Sequence, residues 1–301
     1  MAEHFTRTIR PARSVTLWGA LFVSGLCWGG TQLFSKLSVA TGHPAMGLVF
    51  WQAIIGAAMM LAYLVIRGHP LPFARRYLVF YAVCGFLGTA FPHSISYTYI
   101  KHLPVGVASI LIATVPMMTL GLSYLMKADQ VDRKRVFGLM LGTLAVLLII
   151  VPDASLPKEG QWLWALLPLV TAFAYACENV YIAKYQPEGC DAVQALAGLS
   201  FAALFMVVPL ALSQGVWVDI TVFGPEELAL IASSVLHILA YFGLVWLIAQ
   251  AGPVFTAQIG YIVTLSGVFF GVIFLGESFA PTVWIALALM MAGLSFVKPA
   301  R

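Results

Sequence analysis

Apolar side chains fill this chain in long blocks, and polar residues gather in the short gaps between them. Each block is about 18–22 residues long, the length at which an α-helix crosses a hydrocarbon core roughly 30 Å thick. The blocks lie near 15–37, 45–66, 77–99, 104–126, 134–151, 162–183, 192–213, 227–249, 254–275 and 281–297. The last two are the clearest. Pro253 opens a run through Leu275, Gly276-Glu277 interrupts it, and a second run from Pro281 continues to Phe296. Such hairpins cannot form the core of a soluble domain. The pattern predicts an all-α integral membrane protein with ten transmembrane helices.

Parts of the pattern occur twice. Pro104-Val105-Gly106-Val107-Ala108-Ser109-Ile110 can be laid on Pro253-Val254-Phe255-Thr256-Ala257-Gln258-Ile259, 149 positions later, with Pro, Val, Ala and Ile in register. Leu17-Trp18 and Leu163-Trp164 head the first and sixth blocks in the same way. A unit of five helices must enter the membrane in the opposite sense the second time. The expected organisation is an N-terminal arm (1–14), a first five-helix repeat (15–151), a second, inverted repeat (152–297) and a short tail (298–301). Inverted repeats are an architecture of secondary transporters, with the substrate site between the repeats near the midplane.

Composition and charge sharpen this picture. Hydrophobic residues make up 61% of the 301 positions and charged ones only 9%, against about a quarter charged in a soluble domain. The positive-inside rule places both termini in the cytoplasm, because all but three of the 16 lysines and arginines then fall on that side. The exceptions are Lys36, Lys101 and Lys158. Orientation accounts for the basic excess, and no nucleic-acid partner is implied. There is no P-loop and no room for an ATPase domain. Cys27, Cys84, Cys177 and Cys190 are too scattered for a disulfide framework or zinc site. No HExxH, aspartate pair or serine–lysine dyad points to a membrane enzyme, and no catalytic residue, metal or cofactor is expected. A receptor or scaffold would not need a duplicated core lined by polar groups.

Polar side chains inside the apolar blocks are the candidates for chemistry. A carboxylate at a bilayer centre costs about 2.5–3.5 kcal/mol on insertion scales, so Glu178 should face a cavity or a partner. Thr171, Tyr175 and Glu178 share one helical stripe. Two readings stand for Glu178: a proton carrier or counter-charge for an amino group on the substrate, or a structural acceptor that snorkels toward Lys184. His93, beside Pro92, and His237 titrate near physiological pH and are proton-relay candidates with Glu178; each could equally be a satisfied interhelical bond. Trp28, Gln32 and Ser35 fall on one face of the first helix. With His93, Tyr97, Tyr175, Glu178, Asn179, His237, Tyr241, Gln258, Tyr261 and Thr264 they are candidates for a substrate pocket. Tyr99, Trp162, Trp164 and Trp217 read as interfacial aromatics. Lys36 either snorkels or meets substrate. Glu277 reads as a loop and capping residue, and Gly138, Gly142, Gly267 and Gly271 as small-residue packing positions.

These residues resemble the EamA-like branch of the drug/metabolite transporter superfamily over nearly the whole chain. The likeness rests on Trp28-Gly29 with Lys36, on the Pro104 and Pro253 helix openings, and on Leu275-Gly276-Glu277 with Gly293. The resemblance implies ten helices in two inverted halves around a cavity that opens to each side in turn. It also implies outward movement of small metabolites, often amino acids or related compounds, across the bacterial inner membrane. Two departures stand out. Met126-Lys127-Ala128-Asp129 occupies the place of a first Gly-Glu, and Tyr175-Ala176-Cys177-Glu178-Asn179 carries a charge where many relatives have none. The expected function is thus a secondary transporter in the lipid bilayer, monomeric or weakly dimeric, with a small metabolite as its partner. It works either by proton antiport or by facilitated diffusion. An importer or multidrug exporter of the same fold is the alternative, whereas a nucleotide-sugar carrier would need more bases within the membrane.

Overall fold

The computed structural model describes residues 14–40, 42–129, 132–150, 162–215 and 224–298. The arm with Arg7, Arg10 and Arg13 lies outside them, as do Lys158, Trp217 and Arg301. All the regular structure among the described residues is helical. We label the segments α1 (Ser14–Ser38), α2 (Ala45–Arg67), α3 (Arg75–Tyr99), α4 (Val105–Met126), α5 (Arg133–Ile150), α6 (Trp162–Tyr185), α7 (Ala192–Ser213), α8 (Pro225–Ala251), α9 (Pro253–Leu275) and α10 (Pro281–Phe296).

Seven of these, α2, α3, α4, α6, α7, α8 and α9, are long and apolar enough to cross a membrane by length and composition. The other three miss that standard for visible reasons. Glycine and hydroxyl residues dilute α1, Arg133-Lys134-Arg135 opens α5, and α10 is short. Outward-facing side chains agree with a lipid surround: Ile66, Leu125 and Phe205 are each at least 75% exposed, a surface that would aggregate in water.

Local chemistry sets the breaks. Pro92 has no N–H to give and its ring crowds the carbonyl of Gly88, four residues back; α3 answers with a π-helical turn over Phe86–Ala90. Pro116 acts similarly on Ile112, and α4 is interrupted at Ala113-Thr114. At Ala257-Gln258, α9 tightens into i→i+3 bonds, with Gln258 N–H donating to Phe255 O and Gly260 N–H to Ala257 O. Asp191 starts α7 with a capping box that includes Gln194.

The helices pack as a bundle. α1 lies against α8 and α9, α6 against α3 and α4, α2 against α7 and α8, α7 against α3, and α4 against α9. α5 and α10 pair at one side, where Gly138 and Gly293 bring the two backbones into direct approach.

Two acids cross between the halves of the chain. Past the end of α9, the Glu277 carboxylate accepts the N–H groups of Val105 (2.8 Å) and Gly106 (3.2 Å), capping α4 just after Pro104. Past the end of α4, Asp129 accepts the N–H of Val254 at 3.3 Å, capping α9 just after Pro253. Asp129 thus caps α9 as Glu277 caps α4. Lys127 even adopts the left-handed backbone of Gly276, with φ of 52° against 65°. Buried Arg135 pairs with Asp129 at 3.0 Å and donates to Lys298 O.

Candidate functional site

The two helix breaks and the π turn surround one central cavity. Its wall is built from α1, α3, α4, α6, α8 and α9, with Gln52 added by α2. The centres of water-sized molecules can move through about 90 Å³ of it, and one water needs about 10–15 Å³. The space accommodates several waters or a compact organic molecule.

A connected polar cluster faces this space. Trp28 Nε1–H donates to His237 Nδ1 at 3.0 Å, which holds His237 as its Nε2–H tautomer. The His93 ring meets His237 edge-on, with centroids 4.5 Å apart. Tyr241 lies 5.4 Å from His237 and 6.0 Å from Trp28 by ring centroid. Its hydroxyl donates to Glu178 Oε1, a charge-assisted bond when Glu178 is ionised, worth about 1.5–3 kcal/mol. Gly88, in the π turn, lies directly against both the Tyr241 hydroxyl and the Glu178 carboxyl. The hydroxyls of Ser35 and Ser233 meet at 3.1 Å. Several buried polar atoms on this wall carry no protein partner, among them His93 Nδ1, His237 Nε2, Asn179 Oδ1 and Gln52 Oε1. Buried atoms of this kind take water or ligand.

The structure brings together Trp28, Gln32, His93, Tyr97, Tyr175, Glu178, Asn179, His237 and Tyr241, all of which line the cavity. The two histidines, on α3 and α8, are in ring contact. Three of the expected pocket residues are elsewhere. Thr264 sits 2.9 Å from both the Ser109 and Gly260 carbonyls, and Gln258 donates to Val254 O. The Tyr261 ring fills the space over Gly142 on α5. The cavity face of α9 is instead the neighbouring stripe of Thr256, Ile259, Gly260 and Val263.

Other expectations resolve in the same way. Glu178 bonds Tyr241, while Lys184 donates to Met126 O, so no snorkelling pair forms between them. Thr171 does not reach the cavity. Lys36 directs its ammonium to the carbonyls of Ile100 (2.6 Å) and Leu103 (3.1 Å) beyond the end of α3. Tyr99 is no interfacial residue: it is 1% exposed and receives a bond from Ser96. Trp164 stacks on His102 with centroids 3.9 Å apart; the Trp162 side chain lies outside the described atoms. The sequence reading missed Gln52 and Gly88. Gln52, an amide 6% exposed in an apolar helix, could have been found by the argument that found Glu178.

Comparison with known proteins agrees with this architecture. The chain is 26% identical over 287 residues to the uncharacterized inner membrane transporter YedA of Escherichia coli strain K12, covering 93% of this chain and 90% of that one. It is 29% identical over 146 residues to the uncharacterized transporter YdfC of Bacillus subtilis strain 168, covering 48% and 46% of the two chains. One crystal structure shares the fold with a TM-score of 0.71 at 18% identity, over 95% of this chain and 98% of that one. Residues 17–151 match the EamA-like transporter family. The first half of the chain thus carries a domain of that family, and similarity to a transporter-named relative runs along nearly its full length.

Proposed function

We propose that this chain is a secondary transporter that exports small metabolites across the bacterial inner membrane by alternating access. The observation that carries the reading is a polar cavity, with Glu178 and Tyr241 bonded at its wall, inside a bundle whose outer surface is apolar. Two inverted halves, residues 15–151 and 152–297, would rock about that cavity. The packing supports this: exchanging α1–α5 for α6–α10 turns α1·α8 into α6·α3, α1·α9 into α6·α4 and α2·α8 into α7·α3, all of which are contacts in the bundle. The crossed caps by Glu277 and Asp129 exchange in the same way. Ten spans follow if α1, α5 and α10 also cross, and the distribution of lysine and arginine then puts both termini in the cytoplasm. The YedA relative is by name an inner membrane transporter, which supports the location.

Glu178 is the group through which export would be coupled to protons, with His93 and His237 beside it. The test is substrate-triggered proton flux in proteoliposomes, with a metabolite panel, for wild type and Glu178→Gln. Coupled flux in wild type that disappears in the variant supports antiport. Substrate movement without proton movement, unchanged by the variant, removes the coupling and leaves a uniporter. No substrate movement with any metabolite would sink the transport reading.

A further inference from the structure

The charge of the cavity wall restricts what it can hold. Its lining contains one carboxyl, Glu178, and no lysine or arginine. Lys36 is the base next to Ser35 on α1, but its ammonium is engaged by two backbone carbonyls. An organic anion placed here would leave water, face Glu178, and find no fixed positive charge. A zwitterionic amino acid would have its amine matched by a carboxylate, whereas its own carboxylate would meet only neutral donors such as His237 Nε2–H.

The acceptors point the same way. Tyr241 engages only Oε1 of Glu178, so Oε2 remains for a ligand. Asn179, the next residue on α6, presents an unpartnered Oδ1, and Gln52 an unpartnered Oε1. A protonated amine brings up to three N–H donors and one positive charge to such a set. The rings of Trp28 and Tyr241, 6.0 Å apart, supply faces on which a cation is favoured.

We propose that the central cavity takes an organic amine or ammonium that carries no carboxylate, with Glu178 as its counter-ion. This rests on the reading of the cavity as the transport site.

The experiment is equilibrium binding to the purified full-length protein in detergent, using matched trios that share a carbon skeleton. Phenethylamine, phenylalanine and 3-phenylpropionate form one trio, and shorter and longer skeletons form the others. Loss of a charge-assisted bond corresponds to about tenfold or more in affinity. Within at least one trio the amine should bind about tenfold more tightly than the zwitterion, with the acid weakest. Glu178→Gln should remove that preference while the protein stays monodisperse with unchanged thermal unfolding. The wild-type selectivity stands as a measurement even if the variant does not fold. Equal or tighter binding of the zwitterion or acid overturns the proposal. So does amine binding that survives Glu178→Gln, or no amine binding in any trio. Uptake by proteoliposomes is read separately. A carboxylated metabolite that is carried while amines do not bind defeats this inference and spares the transport reading; amines that bind but are not carried do the reverse.

Discussion

Gly88→Ala is the sharpest probe of the site, because one methyl group reaches both partners of its central bond. A Cβ at Gly88 would fall where the Tyr241 hydroxyl and the Glu178 carboxyl lie. Both belong to fully or nearly fully buried side chains, at 1% and 2% exposure, so neither can swing into open solvent. Overpacking of this kind costs about 1–3 kcal/mol. Separating the hydroxyl from the carboxyl costs a further ~1.5–3 kcal/mol. Alanine returns about 1 kcal/mol of helix propensity. The net expectation is a loss of about 1.5–5 kcal/mol, together with loss of transport. Gly121→Ala is the control. Gly121 is an exposed helical residue with nothing within 4 Å of its would-be Cβ, so only the propensity gain applies. Thermal unfolding in detergent and transport in proteoliposomes should separate the two variants. Adding Tyr241→Phe to Gly88→Ala removes one clashing atom and should recover part of the stability, giving non-additive effects. A Gly88→Ala protein as stable and as active as Gly121→Ala would refute the geometry.

Four further outcomes follow from the structure. Trp28→Phe removes the donor to His237 Nδ1, so ¹⁵N spectra of the imidazole should change from one tautomer to a mixture, with about 1 kcal/mol lost in stability. An unchanged spectrum would refute the bond. Lys127 holds a left-handed backbone that costs a non-glycine residue about 1–2 kcal/mol, so Lys127→Gly should raise the unfolding temperature while Gly276→Ala lowers it. Asp129→Asn removes the carboxylate that buried Arg135 holds at 3.0 Å and should destabilise by about 3–5 kcal/mol, whereas Asp132→Asn, with no ion pair among the described residues, should cost less than 1.5 kcal/mol, the usual net worth of one bond. Burial pushes the Cys190 thiol up to about 11; at pH 7 it should react with maleimide about a hundredfold more slowly than an unperturbed thiol, and faster as pH rises.

Much of the fold was legible because lipid imposes so narrow a rule: a helix long enough to cross must be apolar throughout, and α2, α7 and α9 could be nothing else. The same rule exposed the site. Glu178, His93 and Asn179 are expensive in lipid and had to turn inward, where the structure places them. It failed on α9, since polarity cannot distinguish a residue that lines a cavity from one that bonds a neighbouring backbone. Thr264 does the latter with Ser109 O. The break at Ala257-Gln258 also shifts the inward stripe by one position, so that apolar Ile259 and Val263 face the cavity while Tyr261 does not. Asp129 read as a departure from a motif because its partner, Val254, lies 125 residues away in sequence. The Gly88 contact was hidden for the same reason: a glycine has no chemistry to announce it.

The crossed caps also bear on how the chain is made. When Val105 is added to the growing chain, the acceptor for its N–H is still 172 residues from being synthesised. Until Glu277 arrives, the start of α4 stays uncapped at its membrane boundary. The earlier half is therefore provisional, and its last contacts are set by the later one. A truncated product ending after α5 should be cleared by quality control, whereas two separately translated halves carry between them both of the crossed caps.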